Sequence, residues 1–61
     1  MIKNPEIYTK TGIITIGSKV KYLLDGRIGF VEELLQDGDA CVKFTSGYTK
    51  YVKWNHLELL K

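Results

Sequence analysis

Cysteine and histidine are nearly missing from this 61-residue chain, which contains one of each, Cys41 and His56. A single cysteine cannot form a disulfide within the chain, and the two residues together fall short of the ligand set of a structural zinc site. A domain of this size buries only about 60% of the surface that its unfolded chain exposes. Its stability must therefore come from a thin hydrophobic core, with self-association as the remaining aid.

Long apolar runs and a strong excess of one charge are also lacking. No segment is apolar enough for a membrane span, and Lys3 and Glu6 interrupt the stretch where a signal peptide would be apolar. We therefore expect a cytoplasmic protein. The formal net charge is only +2. Any affinity for a polyanion must therefore come from where the charges lie rather than from their sum.

The chain also lacks a recognisable catalytic or metal-binding group. Cys41 has no histidine near it in the sequence to act as its base, so we interpret it as a small strand residue. Glu32 and Glu33 are neighbours on a predicted strand, which puts their side chains on opposite faces and excludes a shared proton or ion. Asp37 and Asp39 flank a turn glycine and offer too few oxygens for calcium. The sequence thus predicts a protein that is not an enzyme and holds no cofactor or metal.

What the chain does contain is a series of turn signals. Asp25-Gly26, Asp37-Gly38 and Ser46-Gly47 each separate two runs rich in apolar residues. Asp-Gly is a strong hairpin signal because both residues tolerate a positive φ. Three hairpin turns predict four strands, with the bounds Lys19 to Leu24, Arg27 to Gln36, Ala40 to Thr45 and Thr49 to Trp54. Turns at this spacing are typical of a small β-sandwich or barrel.

The alternation of side chains assigns a face to each strand residue. We expect an inward series that forms the core: Val20, Tyr22, Val31, Val42, Phe44, Val52 and Leu57. Leu24 falls on the inward face too, whereas Cys41 and Lys43 are expected to point outward. Gly29, inside the second strand, predicts a bend or bulge. A bulge near Leu34-Leu35 would explain how two consecutive leucines are both buried.

Both ends of the chain extend this four-stranded unit. Asn55-His56-Leu57 is too short for an α-helix and suits one 3₁₀ turn, after which Glu58-Leu59-Leu60 returns as the fifth strand of a meander. Residues 1–16 form an N-terminal extension that is more apolar than a disordered tail. We expect it to add a hairpin around Thr11-Gly12, or a strand on an edge of the sheet. Its apolar strand could also pair across a two-fold axis and so form a homodimer.

The glycines and apolar residues from Gly17 onward resemble a known pattern. They read G-x-x-V-x-Y-x-x-D-G-x-x-G-x-V over residues 17–31 and D-G-x-A-x-V-x-F-x-x-G over residues 37–47, followed by Val52 and Leu57-Glu58. In this respect residues 17–60 are similar to the small SH3-like barrels of the KOW and Tudor type. The resemblance implies an all-β fold, a five-stranded SH3-like barrel over residues 17–61 with residues 1–16 as its N-terminal extension.

The two families imply different partners. KOW modules commonly contact RNA or ribonucleoprotein, and the chain keeps the KOW pattern at Val20, Gly26, Gly29 and Val31. Tudor modules that bind methylated lysine or arginine use a cage of several rings. Only Phe30, Tyr48 and Trp54 could approximate such a cage here.

Lysines and aromatic residues share one predicted outer face. The predicted nucleic-acid-binding residues are Lys19, Lys21, Phe30, Lys43, Tyr51 and Lys53. Lysines contact phosphates with release of counterions, and rings stack on unpaired bases. The acidic residues fall largely at turns and on the second strand. We therefore expect a small non-catalytic binding module that contacts nucleic acid or a ribonucleoprotein through this face.

Two alternatives stay open, because solvent-facing sides of sheets are often rich in lysine for protection against edge pairing. The first is a protein- or peptide-binding adaptor or regulatory module, of a size that a phage or another mobile element could encode. The second, more remote, is an enzyme similar to the plasmid-type dihydrofolate reductase, which uses a like barrel as a tetramer. The Val-Gln-Ile-Tyr signature of its active pore is absent, since the matching strand reads Lys50-Tyr51-Val52-Lys53.

Overall fold

The structure, a computed structural model, describes residues 6–60. In chain order its elements are β1 (Glu6–Thr9), β2 (Gly12–Thr15), β3 (Lys19–Tyr22), β4 (Ile28–Leu34), β5 (Asp39–Phe44), β6 (Thr49–Lys53), a 3₁₀ turn (Trp54–His56) and β7 (Leu57–Leu59). The protein is all-β, as the sequence predicts. Between residues 6 and 60 there is no helix that is long and apolar enough to cross a membrane.

Strands β3 to β7 form one antiparallel sheet with the order β6-β5-β4-β3-β7. The first four of these strands follow one another as the turn signals predict. β7 does not continue beside β6 but crosses to the other edge and pairs with β3, so the predicted meander is wrong at its last step. The 3₁₀ turn redirects the chain, and Leu23 N donates a hydrogen bond to His56 O (2.8 Å) where the chain arrives at β3. This route brings the buried Leu57 into the core.

β3 ends at Tyr22, two residues before its predicted end. A tight turn follows, in which Gly26 N donates to Tyr22 O (2.7 Å) and Gly26 adopts a φ of +78°. Leu24 lies in this turn and is 65% exposed, so its assignment to the inward face is wrong. The chain leaves the sheet before the alternation of side chains reaches this residue.

β4 contains a bulge, but it lies earlier than the two leucines where the sequence predicts it. The pairing with β5 shifts between Val31 and Glu33, which makes Glu32 the additional residue. The extra residue resets the alternation, so that Val31 and Leu34 are both buried while the two glutamates between them are not. Leu35, just beyond β4, is buried as well.

The core lies on the inner side of the sheet, and all seven residues of the predicted inward series are buried, which confirms their assignment.

β1 and β2 pair as a hairpin, one of the two forms expected for the extension; residues 1–5 of that extension lie outside the described residues. Ile7 and Ile14 face each other across the hairpin and belong to the same hydrophobic cluster as the sheet. Thr11 Oγ1, in the hairpin turn, accepts a hydrogen bond from Leu59 N (3.0 Å) and ties the hairpin to β7.

Candidate functional site

Three of the six predicted binding residues form a row across the outer face of the sheet. Phe30 of β4 lies directly between Lys19 of β3 and Lys43 of β5, because the strand register pairs it with both. Thr49 of β6 pairs with Lys43 and ends the row at the sheet edge. Directly opposed residues have Cβ atoms about 5 Å apart and point to the same side. We call Lys19, Phe30, Lys43 and Thr49 the basic row. It presents the ring of Phe30, which is 45% exposed, between the exposed side chains of Lys19 and Lys43.

Tyr51 and Lys21 lie on the same face, on opposite sides of the basic row. Tyr51 of β6 is 60% exposed. Lys21 of β3 is half-buried and is paired in register with Glu58 of β7. Since this carboxylate lies on the neighbouring strand, it offsets part of the charge of Lys21. Beside the basic row the outer face thus carries a second exposed ring, that of Tyr51, and the amine of Lys21, whose charge is partly offset.

Lys53, the sixth predicted residue, is already paired within the protein. It opposes Asp39 in the register, and its Nζ lies 2.9 Å from Asp39 Oδ1. The hydrogen bond to Asp39, followed by the charge of that carboxylate, raises the pKa of the Lys53 amine above its ordinary value. Lys53 is therefore the lysine of this face that is least available to an external phosphate.

The bulge places acidic residues on the face where the sequence predicts a clean basic surface. Glu32 Oε1 lies 4.0 Å from Cys41 Sγ, and Glu33 is paired in register with Cys41, so both glutamate side chains lie on one side of the sheet and not on opposite faces as expected. A bulge brings two successive side chains opposite one partner residue. Asp39 is two residues before Cys41 on β5. We call Glu32, Glu33 and Asp39 the acidic patch; it limits the positive surface to one end of the face.

Cys41 lies on the outer face as predicted, since it pairs in register with Glu33 and Tyr51, but it is buried there. Burial raises the pKa of its thiol, and the charges of Glu32 and Glu33 raise it further. The Sγ–H group lies 4.0 Å from Glu32 Oε1, to which it donates a weak hydrogen bond. A protonated thiol is a poor nucleophile and metal ligand.

The three rings that could approximate an aromatic cage are distributed over the molecule. Phe30 lies in the basic row, Tyr48 stacks on Phe44 (centroids 6.2 Å apart), and Trp54 belongs to the 3₁₀ turn. Phe44 in turn contacts Tyr22, with ring centroids 6.1 Å apart. The aromatic cluster that does form therefore contains Tyr22, Phe44 and Tyr48.

Two rings of this cluster, Phe44 and Tyr48, line a pocket of about 360 Å³ at the end of the sheet where the β3–β4 and β5–β6 turns meet. Its lining residues are Asp25, Arg27, Phe44, Tyr48 and Lys50. The Arg27 guanidinium lies 5.9 Å from the ring centre of Tyr48, and the Lys50 amine lies 5.5 Å from that of Tyr22. We call it the loop-end pocket.

A larger cleft of about 750 Å³ lies between the hairpin and the β7 side of the sheet. It is lined by Tyr8, Thr9, Lys10, Thr11, Leu23, Trp54, Asn55, Leu57 and Glu58. Its volume is within the range of ordinary ligand pockets. We call it the hairpin cleft.

Sequence reasoning missed both cavities, for different reasons. Arg27 carries a usable signal, because it follows a predicted Asp-Gly turn and so must lie at the end of the sheet. Lys50 shares the inward face of Val52 by alternation, and that pattern does not indicate a binding residue. The hairpin cleft depends on where the hairpin packs, and no local pattern encodes that position.

Comparison of the chain with protein-family models, with curated proteins and with solved structures found no match. Within residues 6–60, no three histidine, cysteine or acidic side chains come together in a group that could hold a metal ion.

Proposed function

We propose that this protein is a small cytoplasmic, non-catalytic binding module that contacts single-stranded nucleic acid through the basic row. The observation that carries the proposal is the register that seats Phe30 between Lys19 and Lys43. Neighbouring strands are about 4.8 Å apart, so Lys19 and Lys43 flank the ring with their backbones roughly 10 Å from each other. An extended strand can place a base on the ring while adjacent phosphates meet the amines.

The fold that we propose for this module is the SH3-like barrel. The strand order β6-β5-β4-β3-β7 supports it, with a 3₁₀ turn before a last strand that returns to the first strand of the sheet. The bulge in β4 also supports it, because bulges bend a sheet toward closure.

The acidic patch sets the direction in which a strand would lie. A polyanion that ran along β4 or β5 would pass from Lys43 to Glu32 and Asp39, which repel phosphates. A path across the strands, along the basic row, avoids them. Lys21 and Tyr51 border this path, while Lys53 is engaged by Asp39 beyond it.

Oligonucleotide binding at several salt concentrations tests the proposal. Each phosphate neutralised on a single strand contributes about 0.7 to the slope of log K against log salt, so Lys19, Lys21 and Lys43 together predict a slope of about two. Lys43→Gln should reduce the slope by about 0.7. Lys10→Gln is the matched control, because it removes the same charge from the hairpin turn and should leave the slope unchanged. Fluorescence anisotropy with labelled DNA and RNA oligonucleotides provides the measurement.

Stacking is tested separately at Phe30. Phe30→Ala should weaken binding by about 1–3 kcal/mol without a change in slope, because stacking releases no counterions. Phe30→Tyr retains the ring and should bind like the wild type. Absence of binding at low salt, or equal binding after loss of Lys19 and Lys43, would refute a nucleic-acid function.

A protein or peptide partner is the second candidate function, and the hairpin cleft favours it. Tyr8 and Leu23 are exposed in this cleft, and Trp54 and Leu57 extend its apolar lining. Such a cleft suits an apolar side chain of an extended peptide. Trp54 is the only tryptophan of the chain, so its emission reports on this cleft.

Trp54 emission therefore separates the two candidates. Peptides selected from a display library against the protein should shift the emission if they occupy the hairpin cleft, and Leu23→Glu should abolish the shift. An oligonucleotide on the basic row should leave Trp54 emission unchanged. Selected peptides that bind Leu23→Glu as well as wild type would exclude the cleft as their site.

A further inference from the structure

The loop-end pocket contains two cations that are held in place before any ligand arrives. Asp25 fixes Arg27 twice, since its Oδ1 accepts the Arg27 backbone N–H (3.0 Å) and its Oδ2 lies 3.3 Å from Arg27 Nε. Lys50 is held instead by the ring of Tyr22. Among the described residues Lys50 forms no ion pair. One carboxylate against two cations leaves the pocket positive.

The same pocket exposes an aromatic ring beside these cations. Tyr48 is 53% exposed although Phe44 stacks on it and Arg27 lies over it. Its exposed part is open to a further planar group. A pocket that combines fixed cations with an exposed ring fits a ligand that carries both a phosphate and a base.

The pocket lies where the basic row ends. Thr49 is the last residue of the row, and its two chain neighbours, Tyr48 and Lys50, line the pocket. β6 is the edge strand, so that a polymer which follows the row past Thr49 turns round this edge into the pocket. The row crosses four strands and spans roughly 14 Å, which is room for about two or three nucleotides of an extended strand. The next nucleotide would reach Tyr48.

We infer that the loop-end pocket binds one further nucleotide of the strand held on the basic row, with its phosphate at Lys50 and Arg27 and its base on Tyr48. This inference rests on the proposed nucleic-acid function. The volume of about 360 Å³ lies near the lower limit of ligand pockets, which suits a single nucleotide. The footprint of the strand thus extends from the outer face to the loop end of the sheet.

The length dependence of binding tests this inference. An oligothymidylate of about three nucleotides covers the row alone, and one of about six also reaches the pocket. In the wild type the longer strand should bind about tenfold more tightly, the effect expected of one additional stacked base. Tyr48→Ala should abolish this gain and leave the affinity for the short strand unchanged. Tyr48→Phe, which keeps the ring, should preserve the gain.

Lys50→Gln gives an independent readout, because this exposed side chain is outside the core and its loss should not affect folding. For the longer strand the salt slope should fall by about 0.7, while the slope for the short strand should stay the same.

Thermal unfolding followed by circular dichroism checks that Tyr48→Ala is folded. Thymidine monophosphate should bind far more weakly than the longer strand, because the pocket alone lacks the contacts of the row.

The outcomes distinguish this inference from the function on which it rests. If neither oligonucleotide binds the wild type, both proposals fail. If the short strand binds and the longer one binds no better, or if Tyr48→Ala and Lys50→Gln behave like wild type with both lengths, only the loop-end pocket is excluded. A mononucleotide that binds as tightly as the longer strand would show an independent nucleotide site and would overturn the inference as well.

Discussion

At the scale of single residues, Gly29 decides how closely β4 and β5 can pair. It is buried opposite Phe44, and a Cβ atom built on it would lie 2.7 Å from Lys43 O, 2.8 Å from Val42 Cγ1 and 3.0 Å from Phe44 Cα. Two of these atoms are backbone and cannot move without shifting β5. The absence of a side chain here therefore keeps the central strands, and with them Phe30 and Lys43, in register.

Gly29→Ala should destabilise the protein by about 1–3 kcal/mol, the usual cost of forcing extra atoms into a packed interior. For a domain of this size each kcal/mol lowers the Tm by roughly 4–8 °C. Gly47→Ala is the comparison, because open space surrounds Gly47 and only its φ of +93° disfavours a side chain. That substitution should cost about 1–2 kcal/mol. A Gly29→Ala protein with the same Tm as the wild type would show that β5 can shift to accommodate the added methyl group.

Cys41 provides a chemical test of the bulge at the same scale. Burial, then the charges of Glu32 and Glu33, raise the pKa of its thiol, so the folded protein should react slowly with iodoacetamide at mildly alkaline pH. Glu32→Gln and Glu33→Gln should each speed the reaction, because each removes a negative charge that disfavours the thiolate. Glu58→Gln, a carboxylate on β7, should have no effect. If only one of the two neighbouring glutamates matters, their carboxylates lie on opposite faces and the bulge is wrong.

The same thiol predicts a dependence of stability on pH. Its pKa is raised in the folded state, so the folded protein retains the proton at pH values where the unfolded chain begins to lose it. The stabilising contribution is complete below the unfolded pKa, near 8.5, and is lost as the pH rises through the folded value. Urea unfolding of wild type and Cys41→Ala should therefore show a larger decline with alkaline pH in the wild type.

At the scale of elements, the sequence predicts strands well and their long-range placement poorly. Asp25-Gly26 and Asp37-Gly38 mark turns because the chemistry of a turn is local, and alternation then identifies Val42 and Phe44 as core. Alternation fails at Glu32, because one extra residue reverses every face that follows and its position depends on the pairing with β5. The crossing of β7 likewise depends on a non-local partner.

The candidate site likewise combines features that the local sequence predicts with features that depend on long-range pairing. Lys19, Phe30 and Lys43 could be assigned to one face by counting residues, but their adjacency requires the register between three strands. The pairing of Lys53 with Asp39 could not be predicted, since it depends on the relative shift of β5 and β6. The loop-end pocket joins two turns that are about twenty residues apart in the chain.

Hairpin packing leads to a prediction at this scale. Ile14 of β2 is fully buried in the cluster shared with the sheet, while its neighbour Ile13 is 46% exposed. Ile14→Val should cost about 0.5–1.5 kcal/mol in urea unfolding, and Ile13→Val less than about 0.5. Equal effects of the two substitutions would mean that the hairpin contributes nothing to the core and is a separate extension.

At the scale of the whole molecule, the hairpin and the sheet form one body. The radius of gyration is 10.1 Å, close to the value of about 10 Å for a single compact chain of this length. A domain this small covers its apolar surface incompletely. On the hairpin Tyr8 and Ile13 are paired in register and both exposed, and Ile16 follows them at the end of β2.

This surface supports the homodimer that the sequence suggests. Within residues 6–60, the edge of β1 that faces away from β2 pairs with no other strand. Two hairpins related by a two-fold axis could pair through these edges and form a four-stranded sheet, with Tyr8 and Ile13 of both copies on one continuous apolar side.

We therefore expect the mass in solution to approach twice the 7.0 kDa of one chain as the concentration rises. Ile13→Lys should shift the equilibrium to the monomer, because it places a charge on the apolar side of the paired hairpins and leaves the buried Ile14 in place. Leu24→Lys, an equally conspicuous apolar-to-charged change in the β3–β4 turn, should leave the mass unchanged. Sedimentation equilibrium over a wide range of concentrations gives the measurement. A monomer throughout, or dissociation by Leu24→Lys as strong as by Ile13→Lys, would exclude dimerisation through the hairpin.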